Sequence, residues 1–174
     1  NKKINNIISL EPYFTNFSRL LSNLKINNIV TSNCMLAAAS DIKGFSKFSV
    51  QQDPSYHSAG GQLSNDGKFS VSTIKIDDFK IENTIGGMKI DTEGHEFEVL
   101  KGAEKYVSRD KPDIILEINK NSFNQCLDFL KTKEYFFYLI NEDQNKITII
   151  EKFNKDLIQL EGINCLATPN KIKV

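Results

Sequence analysis

The chain has 174 residues, of which 22 are Lys or Arg and 22 are Asp or Glu, so its formal net charge is zero. That length suits a single domain over residues 1–174, and the balanced charge argues against a nucleic-acid-binding surface, which needs clustered basic residues. No apolar run approaches the roughly 20 residues of a membrane helix, and no secretory signal pattern opens the chain, so we expect no transmembrane segment.

The three cysteines indicate the redox compartment. Cys34, Cys126 and Cys165 are odd in number, lie far apart and occur mostly in apolar runs. This pattern is typical of buried thiols rather than of disulfides or zinc ligands. We therefore predict a cytoplasmic domain without a zinc site.

The first part of the chain predicts a strand, a helix and a second strand. Residues 3–10 form a short apolar run that ends at Glu11, and the proline that follows prevents further sheet pairing. Apolar residues recur at helical spacing over residues 13–25. A second strand is predicted over residues 29–39, just before Ser40.

Residues 45–76 interrupt this alternation. An Asp-Pro pair, two adjacent glycines and the Asp66-Gly67 dipeptide mark turns, and Asp66-Gly67 suits a tight hairpin. We interpret the segment as an antiparallel excursion that could form a lid.

Strand and helix alternate again in the rest of the sequence. A helix over residues 94–107 lies between strands over residues 88–90 and 114–118, and the second of these is apolar enough to be covered on both faces. A helix over residues 123–130 and apolar runs at 136–140, 147–153 and 163–167 complete the chain. Such alternation predicts an α/β fold with a mostly parallel sheet and helices on both faces.

Polar residues fall at four predicted strand ends: Glu11, Ser40 with Asp41, the run from 91 to 96, and Glu117. In parallel sheets, ligands bind beyond the carboxyl ends of the strands. We therefore expect a binding site at this edge of the sheet.

Glu11 has two interpretations. A carboxylate at a strand end can accept both hydroxyls of a ribose. Alternatively, Glu11 caps the helix that follows, because the first turn of a helix favours an anion.

The run from 91 to 96 also has two interpretations. Asp91, Glu93 and His95 could supply a general base, and a histidine with a pKa near 6.5 suits that role. Alternatively, Thr92 caps the next helix while Glu93 and Glu96 complement its dipole.

Two further features are weaker candidates. His57 lies in the excursion and could act as a base, although most single histidines are structural. The Asp77-Asp78 pair could bind a hard cation, but such a pair is more often a solvated turn.

Several of these segments together resemble the FkbM-type methyltransferases. The similar strings are LEP at 10–12, AAASDIKG at 37–44, IKIDDF at 74–79, MKIDTEGHEFEVLKGAEKYV at 88–107, KPDIILEI at 111–118 and INCLATPN at 163–170. They follow one another along nearly the whole chain, and the K-I-D-x-E-G-x-E signature is the most specific. The resemblance implies a Rossmann-like class I methyltransferase fold that uses S-adenosylmethionine.

The resemblance also implies roles for the strand-end residues. Glu11 would hold the ribose of the cofactor, and Ser40 and Asp41 would lie against its adenine. Asp91, with Glu93 and Gly94, would lie near the methionine end of the cofactor and the acceptor. Glu117 would end the next strand on the same rim, whereas His95 occupies a variable position of the signature.

One feature of the family is missing. Its first strand ends in a glycine-rich turn, and no G-x-G pattern occurs in this chain. The family places its first strand between its second and fourth strands. Either these residues are a fragment that lacks this strand or another segment fills the gap, and we favour the fragment. Both neighbours should then be exposed, and the chain alone should bind the cofactor poorly.

The function implied is transfer of a methyl group from S-adenosylmethionine to a hydroxyl of a sugar, glycolipid, polysaccharide or secondary metabolite. S-adenosylhomocysteine would be the product, and Asp91, Glu93 or His95 would accept the proton. Two alternatives remain open. One is an inactive Rossmann-like domain that binds a nucleotide or a protein, and the other is a methyltransferase in which Asp91 and Glu117 share a magnesium ion.

Overall fold

The computed structural model describes residues 6–29, 33–51, 60–142, 144–150 and 163–172. Within these ranges the α-helices are α1 (Phe14–Ile26), α2 (Glu96–Gly102), α3 (Glu104–Asp110) and α4 (Phe123–Thr132), and a short 3-10 helix covers Ile76–Asp78. The strands are β1 (Ser9–Leu10), β2 (Cys34–Met35), β3 (Ala38–Ala39), β4 (Gly44–Gln51), β5 (Gly60–Leu63), β6 (Phe69–Ile74), β7 (Gly87–Asp91), β8 (Asp113–Ile118), β9 (Phe136–Asn141), β10 (Lys146–Ile149) and β11 (Ile163–Thr168). None of the described helices has both the length and the apolar content that crossing a bilayer requires.

Most predicted elements are confirmed, but several are shorter or divided. The predicted helix over residues 94–107 is two helices, because the backbone leaves the helical region at Ala103, with φ −115° and ψ 9°. The predicted strand over residues 29–39 contains β2 and β3, and residues 30–32 lie outside the described part. The first strand is limited to β1 among the described residues.

The largest sheet has five strands in the order β10-β9-β11-β8-β7. β7 and β8 are parallel, whereas β11 lies between β8 and β9 and is antiparallel to both. β10 forms an antiparallel edge against β9. The prediction of a mostly parallel sheet is therefore not confirmed, since this sheet is mixed.

Helices cover the face of this sheet that carries alternate residues of β8. Ile114 and Leu116 are fully buried and belong to one apolar cluster with Leu100 of α2 and Leu130 of α4. Ile115, which faces the other way, is 40% exposed. The prediction that β8 is covered on both faces is therefore wrong, and the alternation marks an open face.

The excursion is confirmed as largely antiparallel, but the prediction that Asp66-Gly67 forms a tight hairpin is wrong. β4 pairs antiparallel with both β5 and β6, in the order β3-β6-β4-β5, so the Asp66-Gly67 turn joins two strands that do not pair. The connection instead passes over β4. A Cβ on Gly67 would lie 2.4 Å from the backbone nitrogen of Phe48, so the crossing requires glycine.

A separate two-stranded sheet is formed by β1 and β2, which are parallel. Among the described strands, β1 pairs only with β2, and β7 pairs only with β8. Each of the two therefore has one edge that no described strand pairs with.

The cysteines are all free thiols. Cys126 and Cys165 are buried, as predicted, whereas Cys34 is partly exposed. Burial raises the pKa of Cys165 to about 12 and raises the pKa of Cys126 further, so neither thiol ionises near neutral pH.

Candidate functional site

An acidic pair marks the carboxyl ends of β7 and β8. The parallel register places Asp91 beside Glu117, and Lys89 lies two residues earlier on the same face. The Lys89 Nζ is 3.2 Å from Asp91 Oδ2 and 3.8 Å from Glu117 Oε2. This face is the one on which Ile115 is exposed, so the pair lies on the open side of the sheet.

The surroundings of Glu117 raise its pKa above the ordinary value. Burial is the largest cause of the raised pKa of Glu117, and the negative charge of Asp91 adds to it. Lys89 acts in the opposite direction, and the charge of Glu93 adds a further rise. A carboxyl group in this position is a better proton acceptor than an isolated one.

The turn after β7 is held by a buried glutamate. Glu96 is fully buried, and its Oε1 accepts hydrogen bonds from the Gly94 backbone N–H at 2.8 Å and from Thr92 Oγ1 at 3.0 Å. Its Oε2 accepts a bond from Ser122 Oγ at 2.7 Å. The carboxylate thus ties the turn to the start of α4, and Thr92 contacts Glu96 instead of capping α2 through its side chain.

The backbone of this turn is unusual at two residues. Glu93 has φ 54° and Gly94 has φ 105°, so both lie in the region that favours glycine. A Cβ on Gly94 would lie 2.6 Å from Asn119 Nδ2, just beyond β8. Glu93 is exposed and keeps this conformation at a cost that the bonds of Glu96 offset.

A second cluster joins Ser40 and Asp41 to α2. Ser40 Oγ is 3.0 Å from His95 Nε2, and Ser40 is only 5% exposed. Asp41 forms an ion pair with Lys101, and hydrogen bonding to this lysine is the main cause of the lowered pKa of Asp41. The Ser40 carbonyl also lies against Gly102, where a Cβ would approach it to 2.0 Å.

Glu11 belongs to neither of these two clusters. Its Oε1 accepts the Tyr13 backbone N–H at 2.7 Å, next to α1, and Asn16 also bonds to the carboxylate. Burial is the main cause of its raised pKa. These contacts are those of a carboxylate at a helix start, and among the described residues no hydrogen bond or ion pair joins Glu11 to Asp91 or Ser40.

The weaker candidates are not part of these clusters. Asp77 Oδ2 accepts the Lys105 backbone N–H at 3.0 Å and so serves the start of α3. His57 lies outside the described residues. In the described part of the chain, no three His, Cys, Asp or Glu residues are arranged to hold a metal ion.

An open cleft of about 380 Å³ runs along α1. The residues that line it are Phe14, Thr15, Ser18, Arg19, Ser22 and Asn23, none of which is a predicted site residue.

Sequence reasoning missed the residues that support the clusters. Glu98 lies 3.5 Å from His95 Nδ1, and Lys101 holds Asp41. The spacing of three residues between His95 and Glu98 on a helix was a usable signal. Lys101 and Asp41 are 60 residues apart, and nothing local connects them.

Comparison with known proteins gives two findings. The model of the methyltransferase FkbM domain family matches residues 1–145. A crystal structure of methyltransferase FkbM from Methylobacillus flagellatus KT is similar over 91% of this chain, with a TM-score of 0.52 and 17% identity. This chain covers 35% of that protein, so it spans about a third of its length. No protein with a curated functional description matches the chain.

Proposed function

Because the chain belongs to the FkbM methyltransferase family, we propose that it binds S-adenosylmethionine and transfers its methyl group to a hydroxyl oxygen. The proposed acceptor is a sugar, glycolipid, polysaccharide or secondary metabolite. A cytoplasmic location, where thiols stay reduced, belongs to the same proposal.

The acidic pair at the ends of β7 and β8 is the observation that carries this proposal. Asp91 and Glu117 share the ammonium of Lys89, and Glu93 adds another negative charge nearby. These groups together leave a net negative rim, which suits a ligand with a positively charged sulfur. The residues present therefore fit the cofactor that the family implies.

The cofactor, when bound, supplies an electrophilic methyl group on a sulfonium. The chain's residues would then hold the acceptor hydroxyl in line with that methyl group, which is the main source of rate in such a displacement. With the cofactor leaving as a neutral thioether, the acceptor hydroxyl would lose its proton to a carboxylate such as Asp91 as its new C–O bond formed.

Lys89 bears on the magnesium alternative. Its ammonium already lies within 3.8 Å of both carboxylates, so a metal ion shared by Asp91 and Glu117 would have to displace it. We therefore propose methyl transfer without a required metal. Full activity after exhaustive chelation is the expected result, and loss that magnesium restores would contradict it.

Calorimetric titration with S-adenosylhomocysteine tests the proposal. The protein from the complete gene should bind it, and Glu11→Ala should weaken binding about tenfold or more if the carboxylate accepts ribose hydroxyls. The exposed Glu82→Ala serves as a control that should not change affinity. No binding by the wild-type protein would favour the inactive-domain alternative, which the contacts of Glu11 with α1 also support.

A further inference from the structure

His95 has a partner at each ring nitrogen. Its Nε2 is 3.0 Å from the hydroxyl of Ser40, and its Nδ1 is 3.5 Å from Glu98 Oε2. A carboxylate only accepts hydrogen bonds, so Glu98 favours the tautomer with hydrogen on Nδ1. The lone pair of Nε2 then accepts the hydrogen of the Ser40 hydroxyl at 3.0 Å, a shorter contact than the 3.4 Å between the same hydroxyl and Asp41 Oδ1.

This arrangement matters because a general base needs a free lone pair that reaches the substrate. The lone pair of His95 points to Ser40, whose residue is only 5% exposed. The acidic pair of β7 and β8, in contrast, projects from the open face of the sheet, opposite the face that α2 covers. His95 and Asp91 therefore lie on opposite faces of the sheet at the end of β7.

Two more contacts act on the same segment as His95. Lys101 binds the Asp41 carboxylate, and Gly102 lets the Ser40 carbonyl approach α2 closely. The Ser40 backbone N–H also bonds to the Ile74 carbonyl at 2.9 Å, which fixes it to β6. We call Ser40, Asp41, His95, Lys101 and Gly102 the α2 clasp.

We propose that His95 is a positioning residue that holds Ser40 and Asp41 against α2, and that it is not the proton acceptor. The inference rests on the proposed function, with the adenine of the cofactor against Ser40 and Asp41 as the family resemblance implies. Loss of His95 should loosen this segment and weaken cofactor binding. The proton should still pass to a carboxylate of the motif.

A double-mutant cycle with steady-state kinetics tests the assignment. His95→Ala and Ser40→Ala should each raise KM for S-adenosylmethionine about 3- to 10-fold, as loss of one hydrogen bond does, with kcat changed less than threefold. The double variant should lose no more than either single variant. His95→Gln, whose side-chain oxygen can accept the Ser40 hydrogen, should restore most of the affinity.

The opposite result is equally specific. A fall in kcat of about 100-fold or more in both His95→Ala and His95→Gln, with KM unchanged, is the behaviour of a general base and would overturn the proposal. Additive losses in the double variant would show that His95 and Ser40 act independently.

Nitrogen NMR of the imidazole rings gives a readout that needs no cofactor. The chain has only two histidines, so His57→Gln leaves the signals of His95 alone. We expect hydrogen on Nδ1 and a shift of the Nε2 resonance in Ser40→Ala. An unchanged Nε2 resonance would refute the clasp even in an active enzyme. Absence of cofactor binding with the expected spectrum would instead refute only the proposed function.

Discussion

Replacement of the buried residue Glu96 should lower the free energy of unfolding substantially. Its carboxylate is fully buried and accepts hydrogen bonds from Thr92, Gly94 and Ser122 at 2.7–3.0 Å. Glu96→Ala leaves three donors without this acceptor, of which Ser122 is buried while the bonds from Thr92 and Gly94 are only partly buried. A buried donor without an acceptor costs about 1–3 kcal/mol and water can reach the other two, so we expect a loss of about 2–4 kcal/mol in the free energy of unfolding.

Glu96→Gln separates the hydrogen bonds from the charge. The amide oxygen can still accept from Thr92 and Gly94, and the amide nitrogen can donate to the Ser122 hydroxyl, which can rotate to accept. We therefore expect a smaller loss of about 1–2 kcal/mol, because only the charge-assisted part of the bonds disappears.

Urea unfolding followed by circular dichroism measures these differences. The matched control is Glu82→Gln at an exposed position, which should stay within about 0.5 kcal/mol of wild type. If Glu96→Ala unfolds at the same urea concentration as this control, the carboxylate does not hold the turn. The hydrogen bonds of Glu96 would then not be what keeps Glu93 and Gly94 at positive φ.

Two other substitutions follow from close contacts and charges. Gly102→Ala should destabilise by about 1–3 kcal/mol in thermal unfolding, although alanine is normally favoured in helices, because its Cβ would lie 2.0 Å from the Ser40 carbonyl oxygen. Gly86→Ala, with no atom within 4 Å of the added Cβ, is its control, and equal melting temperatures would contradict the clash. Glu117→Gln should stabilise at pH 8 by about 0.2–1 kcal/mol, because it removes a partly buried charge and its repulsion from Asp91. The folded pKa of Glu117 is raised, so the wild type loses stability as pH rises through that pKa, and the gain should vanish at low pH, where both proteins are neutral at this position. If Glu117→Gln is instead less stable than the wild type at pH 8, the ionised Glu117 does not destabilise the folded state.

Periodicity predicted the elements well where one face of an element is apolar. The spacing of apolar residues located α1 and α4, and the short apolar runs located β7 and β8. The direction of each strand in the sheet was not predictable in the same way. The run at β11 carries no sign that it enters between β8 and β9 in the opposite sense, so the mixed sheet could not be predicted from alternation alone.

The site was predictable only in part, for a similar reason. Asp91 and Glu117 end neighbouring parallel strands, so their proximity follows once these strands are predicted to pair. Ser40 and His95 are 55 residues apart, and their contact depends on how α2 packs. The family resemblance grouped both sets of residues on one rim, but it could not predict the hydrogen bonds that divide them into two clusters.

β7 pairs with β8 on one side, and no described strand pairs with its other side along Gly87–Asp91. Exposed backbone of this kind acts as a template that captures any extended peptide within reach. Lys89 is the only basic side chain on this strand and is paired with Asp91, so the two charges largely cancel and give the edge little protection. Concentrated preparations of the purified polypeptide should therefore aggregate through intermolecular strand addition, and short peptides that cap this edge should keep it monodisperse.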